Sequence, residues 1–129
     1  MGGLLLDTKD GAFTLRNVLA TPGWLAVEDS LGRSLVFSLK TGAEAGSPFG
    51  HLGAISEQAG CLVVERTSND LSLYNLSTMQ LERELSFNHW VSDVQFSRDG
   101  KKLGVLTSDQ AFYSADVAAA TLAVHTPTQ

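Results

Sequence analysis

Residues 96–117 read FSRDGKKLGVLTSDQAFYSADV, and the same outline occurs twice upstream: ISEQAGCLVVERTSNDLSLYNL at 55–76 and VLATPGWLAVEDSLGRSLVFSL at 18–39. The three stretches superpose without gaps. From the first apolar anchor to the second is 7 residues each time (18 to 25, 55 to 62, 96 to 103), and from the second to the last is 14 (25 to 39, 62 to 76, 103 to 117). The repeat-to-repeat offsets are 37 and then 41, so the units differ only in the connections that leave them. Self-similarity at such a period marks a repeat architecture.

Each unit reads as several short strands. Val, Leu, Ile, Phe and Tyr fill short runs bounded by turn residues. Gly23, Gly60 and Gly100 precede the second strand of each unit, where a tight turn can require positive φ. Ser30-Leu31-Gly32-Arg33, Ser68-Asn69-Asp70 and Ser108-Asp109-Gln110 form the next turn, and a fourth strand is expected near Gly46–Phe49, Glu82–Phe87 and Thr121–His125. Leu25-Ala26-Val27 and Leu62-Val63-Val64 are apolar at every position, so both faces of these strands must be covered. The small residues Ala26 and Gly104 suit close sheet packing. No stretch of useful length carries a helical period.

The third unit also carries a family likeness. His89-Trp90-Val91-Ser92-Asp93-Val94-Gln95-Phe96-Ser97-Arg98-Asp99-Gly100-Lys101-Lys102-Leu103 resembles the WD-repeat pattern of a His, two spaced valines, Phe-Ser and then Asp-Gly before the next strand. Asp109 falls at the family's turn aspartate, and Asp116-Val117 resembles the end of its third strand, with Ala115 where the family has Trp. Tyr74-Asn75 and Phe37-Ser38 stand at the Trp-Asp position of the other units. The resemblance implies an all-β, divergent WD-like β-propeller: an arc of about three four-stranded antiparallel blades (17–50, 51–88 and 89–126), within a single partial domain. Leu4–Asp7 and Ala12–Leu15, joined by Thr8–Gly11, read as an N-terminal hairpin over 3–16 that resembles the last strands of a preceding blade. The resemblance also implies a structural hydrogen-bond network at His89, Thr107 and Asp109, which looks like a catalytic triad without being one.

Composition narrows the function. With 129 residues, 43% hydrophobic and 18% charged, the chain is a globular domain. Its formal charge of -5 opposes phosphate backbones and anionic membranes, and Lys101-Lys102 is only a short basic pair at a turn. Neither nucleic acid nor membrane is an expected partner. The longest apolar run near the N-terminus, Leu4–Leu6, is far short of a membrane span. The lone Cys61 precludes an intramolecular disulfide or a Cys-based metal site and fits a reducing compartment. No Gly-x-Ser-x-Gly, phosphate-loop or dinucleotide motif occurs, so no active site, cofactor or metal is expected.

Candidate contact residues are therefore those that a propeller would present on one face: Arg33, His51, Asp70, His89, Trp90 and Asp109. Trp90 can anchor an interface, or pack between blades. His51 and His89 occupy comparable loops, without the His-x-His or His-Glu-x-x-His spacing of a metal site. Glu28-Asp29 and Glu57 read as solvated strand ends. An arc of three blades leaves apolar blade faces open, which calls for a partner. The expected function is a non-catalytic module for protein–protein interaction or self-assembly. Its ring would be closed by a second or third copy or by missing blades of a longer chain. The alternative is a piece of a larger propeller enzyme or sensor whose active site lies elsewhere.

Overall fold

A computed structural model of the chain describes residues 15–29, 31–117 and 122–125, with side chains from 17 to 29 and from 31 to 117. The hairpin expected over 3–16 lies outside the described residues, except for the start of the first strand. The strands are β1 (Leu15–Ala20), β2 (Trp24–Asp29), β3 (Ser34–Ser38), β4 (Glu44–Gly46), β5 (His51–Ser56), β6 (Cys61–Glu65), β7 (Asp70–Asn75), β8 (Leu81–Ser86), β9 (Val91–Phe96), β10 (Lys102–Thr107), β11 (Phe112–Asp116) and β12 (Leu122–His125). They form three antiparallel meanders, β1–β4, β5–β8 and β9–β12.

The repeat spacing has a structural cause in its second half. Leu25 pairs with Phe37, Leu62 with Tyr74 and Leu103 with Ala115, the same register in each sheet. The last anchors share one role: the N–H groups of Leu39, Leu76 and Val117 each donate, at 2.9 Å, to the carbonyl of Gly23, Gly60 and Lys101, at the foot of the second strand. The first spacing holds only in two sheets. Ile55 pairs with Leu62 and Phe96 with Leu103, but Leu25 pairs with Ala20, not Val18. Thr21 and Trp24 close a tighter turn through reciprocal backbone bonds, which shortens that hairpin.

Strand alternation explains the fully apolar runs. On β6, Cys61 and Val63 point into a core shared with the third sheet, where Leu103, Val105, Val94 and Phe87 meet them. Leu62 and Val64 point the other way, into a core with Ala26, Val36 and Leu52 on the side of the first sheet. The central strands of the middle sheet, β6 and β7, are thus packed on both faces, and along β6 only Glu65 is partly open to water. Full burial of a Leu such as Leu62 contributes about 1.5–3 kcal/mol. Strand β5 lies against both β1 and β9, so the first strand of each sheet is the innermost.

Two expectations are corrected. The fourth strand of the first sheet is Glu44–Gly46, not Gly46–Phe49. Pro48 has no N–H for a ladder, and its carbonyl instead accepts from Ser34 N at 2.9 Å, while Phe49 makes one isolated bridge to Arg33. Gly60 and Gly100 take positive φ (64° and 74°), but Gly23 does not. A Cβ on Gly23 would come 3.0 Å from the Glu57 carboxylate, the end of an exposed side chain that can shift, so neither φ nor a rigid neighbour demands glycine there.

Candidate interaction face

The turns sort onto two rims. The β2–β3, β6–β7 and β10–β11 turns share one rim with the connections into β5 and β9. Gly50 N donates to Gly32 O, Val91 N to Ser68 O and Ser108 N to Trp90 O, each within 2.8 Å. The remaining turns form the opposite, lower rim. All six candidate contact residues, Arg33, His51, Asp70, His89, Trp90 and Asp109, fall on the upper rim.

Several of them are held by structural bonds. Asp29 is fully buried and accepts the N–H groups of Leu31 (2.9 Å) and Arg33 (3.0 Å), and Arg33 Nε (2.9 Å). Burial alone would raise this carboxyl, but the backbone and guanidinium hydrogen bonds of Arg33 outweigh it and hold the group below its usual range. Glu28 is buried as well: Oε1 accepts Leu52 N at 3.0 Å and Oε2 lies 2.6 Å from His51 Nδ1. The pair reads in sequence as solvated strand ends, whereas Glu28 clasps the first sheet to the second and Asp29 closes its own turn. Glu57, by contrast, is exposed, and accepts Gly23 N at 2.9 Å.

On the second sheet the Thr67 hydroxyl donates to Asp70 at 2.8 Å, and hydrogen bonds from Thr67 and Ser86 lower that carboxyl. Arg66 pairs with Glu84. In the third, the Thr107 hydroxyl donates to Asp109 and His89 Nε2 lies 3.4 Å from the other Asp109 oxygen. The hydroxyl of Thr107, and then the charge of His89, keep Asp109 below its ordinary value. The three remaining members of the WD-like network therefore interact, and the fourth position is a buried Ala115. His51 and His89 hold different acids and do not converge. Among the described residues, no three His, Cys, Asp or Glu side chains gather as a metal-ligand set.

Trp90 is 66% exposed, so it does not pack between sheets. Phe49, 70% exposed, stands at the equivalent position one sheet earlier, by the same 41-residue offset that relates Ile55 to Phe96. The sequence reading put it in the face loop Phe49–Leu52 without choosing it as a contact residue, although that offset points to it. Gly50, beside it, has φ 127°, and a Cβ there would sit 2.4 Å from Val64 Cγ1. Only glycine lets this connection lie against β6 while carrying Phe49 outward. Glu65, at the end of β6, has a carboxyl raised first by burial; Glu28 and Asp93 push it further up and His51 opposes them.

Two concavities among the described residues bear on packing. One, of about 760 Å³, runs along the inner strands β1, β5 and β9. The other, of about 450 Å³, lies on the outward face of the third sheet over Lys102, Gly104, Leu106, Phe112 and Ser114. Leu106 and Phe112 are each 40% exposed there, whereas Val63 and Leu73, which occupy the corresponding face of the second sheet, are buried.

The chain superposes on solved propellers. U3-55K matches with a TM-score of 0.74 at 15% identity, over 91% of this chain and 40% of that one. The RRP9 WD40 repeats match at 0.72 and 17%, with the same coverage. The fold is that of part of a WD-repeat β-propeller. A chain of the mitotic checkpoint complex matches at 0.68 and 13% identity, over 92% of this chain and 38% of that one. This propeller arc thus spans about two fifths of the length of the solved chains it matches. No protein-family model matches the sequence, and no curated protein matches it significantly.

Proposed function

We propose that the chain is a non-catalytic protein-interaction module that works within a closed propeller ring, completed by a second or third copy or by further blades of a longer chain. The observation that carries this reading is the outward face of the third blade. Its Lys102 and Gly104 occupy the positions that Cys61 and Val63 fill, buried, one blade earlier, and Phe112, 40% exposed, stands where Leu71 is fully buried. A sheet face with exposed Leu and Phe over a concavity suits a packing partner. The upper rim, with Arg33, His51, Asp70, His89, Trp90 and Asp109, is the surface assigned to an external protein. One neighbour of the fold comes from a protein complex, which accords with such use.

Sedimentation velocity at micromolar concentrations tests the ring. The wild-type chain is expected to assemble beyond one copy, and Leu106→Glu to sediment as a monomer with unchanged circular dichroism. A wild-type chain that stays monomeric and folded throughout contradicts the reading.

A further inference from the structure

The charge of this molecule is divided between its two rims. Among the described side chains, the upper half carries seven carboxylates against two arginines, and the lower half five carboxylates against five Lys and Arg. The net negative charge therefore sits on one side. Both upper arginines are already engaged, Arg33 by Asp29 and Arg66 by Glu84. Among the described residues, Glu28, Glu65, Asp70, Asp93 and Asp109 make no close ion pair with Lys or Arg; His51 lies on Glu28 and His89 on Asp109, and Arg66 acts on Asp70 only as a nearby charge. Burial raises the Glu65 carboxyl first; Glu28 and Asp93 add to that rise and His51 opposes it, so these acids lie close enough to feel one another.

Among the described residues, the exposed loop aromatics Phe49 and Trp90 stand on that same rim at equivalent places in successive blades. Their rings project from backbone that is pinned: Phe49 by its bridge to Arg33, Trp90 by the bond from Ser108. Rigid, exposed aromatic rings are suited to anchoring a partner, and a cation over the Trp face gains about 0.5–1 kcal/mol at an exposed site. An anionic partner would be repelled, while a cationic one is drawn in by the field and held by the rings.

We propose that the upper rim around Phe49 and Trp90 binds a Lys/Arg-rich segment of a protein partner. This rests on the reading of the chain as an interaction module and supplies the chemistry of what the module takes. The lower rim, balanced in charge, does not share the role.

The test uses the whole chain with three fluorescein-labelled peptides of equal length: one rich in Lys and Arg, one rich in Glu, one of Ser and Gly. Fluorescence anisotropy should report binding of the basic peptide alone, weakening about tenfold as salt rises from about 50 to 300 mM. Trp90→Ala should weaken it by about fivefold, the equivalent of about 1 kcal/mol. Glu65→Gln with Asp93→Asn should weaken it and flatten the salt dependence, whereas Glu44→Gln on the lower rim should leave it unchanged. Circular dichroism confirms that each variant is folded. Equal binding of the Glu-rich or neutral peptide, or indifference to Trp90→Ala, overturns the proposal. A chain that assembles in sedimentation but ignores the basic peptide refutes this inference alone. A chain that does neither refutes the module reading as well.

Discussion

Glu28 is the residue whose removal most directly probes the joint between the first two blades. Its carboxylate accepts the Leu52 amide with one oxygen and meets His51 with the other, and Leu52 is itself buried. Glu28→Ala leaves that amide with no acceptor and no water, and removes a charge-assisted bond of about 1.5–3 kcal/mol. Glu28→Gln keeps an amide oxygen for Leu52 N and gives up only the charge. The expected losses are therefore about 2–3 kcal/mol for Ala and about 1 kcal/mol for Gln. For a chain of this size, 1 kcal/mol corresponds to roughly 3–5 °C in Tm. Urea unfolding followed by circular dichroism measures both variants, and amide exchange at Leu52 should quicken in the Ala variant before the rest of β5. An Ala variant within about 0.5 kcal/mol of wild type, the range of ordinary surface changes, would refute the clasp. Equal losses in Ala and Gln would show that the Leu52 acceptor is not what matters.

Acid sensitivity follows from Asp29, Asp70, Asp99 and Asp109, all held below their ordinary value of 3.8. A carboxyl with a depressed folded-state pKa lends stability that is full above its unfolded value and is lost as pH falls through the folded one, so urea midpoints should hold level down to about pH 5 and fall below about pH 4; Asp29→Asn should blunt that fall. Glu65 runs the other way: its raised carboxyl costs stability at neutral pH, so Glu65→Gln should raise the urea midpoint there, and a lowered midpoint contradicts the account. Gly50→Ala meets both a left-handed φ and the β6 strand and should cost more than about 2 kcal/mol, whereas Gly60→Ala, with positive φ but open space around it, should cost about 1 kcal/mol; thermal melts rank the two. Cys61, whose buried thiol is pushed up to about 12, should resist a thiol reagent at mild alkaline pH until the chain is denatured, and fast labelling of the native chain would contradict its place in the core.

Much of the fold was legible because strand alternation writes itself into sequence. The run at 62–64 is apolar at every position because its strand is packed on two sides, and the 14-residue spacing survives because Leu39, Leu76 and Val117 close the same bond. The 7-residue spacing of the first unit was partly coincidence: Val18 is half-exposed, and a tighter turn at Pro22-Gly23 moves the true partner of Leu25 to Ala20. The six candidate contact residues share one rim, which remains a proposal as a binding surface, and the sequence did not reveal what their neighbours bond. Glu28 and Asp29 look solvent-facing because sequence does not reveal that a neighbouring blade's first strand will cover one, or that a turn will fold over the other. Phe49 was read within the face loop Phe49–Leu52 but not as a contact residue, because it also closes a stretch, Gly46–Phe49, that reads as strand. Trp90 could be packed or free on sequence alone, since what decides it is the bond that pins its backbone and leaves the ring outside.

The stacking of three sheets around a middle one whose strand β6 is buried on both faces is best tested by residue-resolved amide hydrogen exchange. The account predicts the slowest exchange in β6, at Leu62–Val64, approaching the rate of global unfolding, with the short exposed strand β4 at Glu44–Gly46 exchanging fastest among the strands. Exchange in β6 as rapid as in β4 would contradict it.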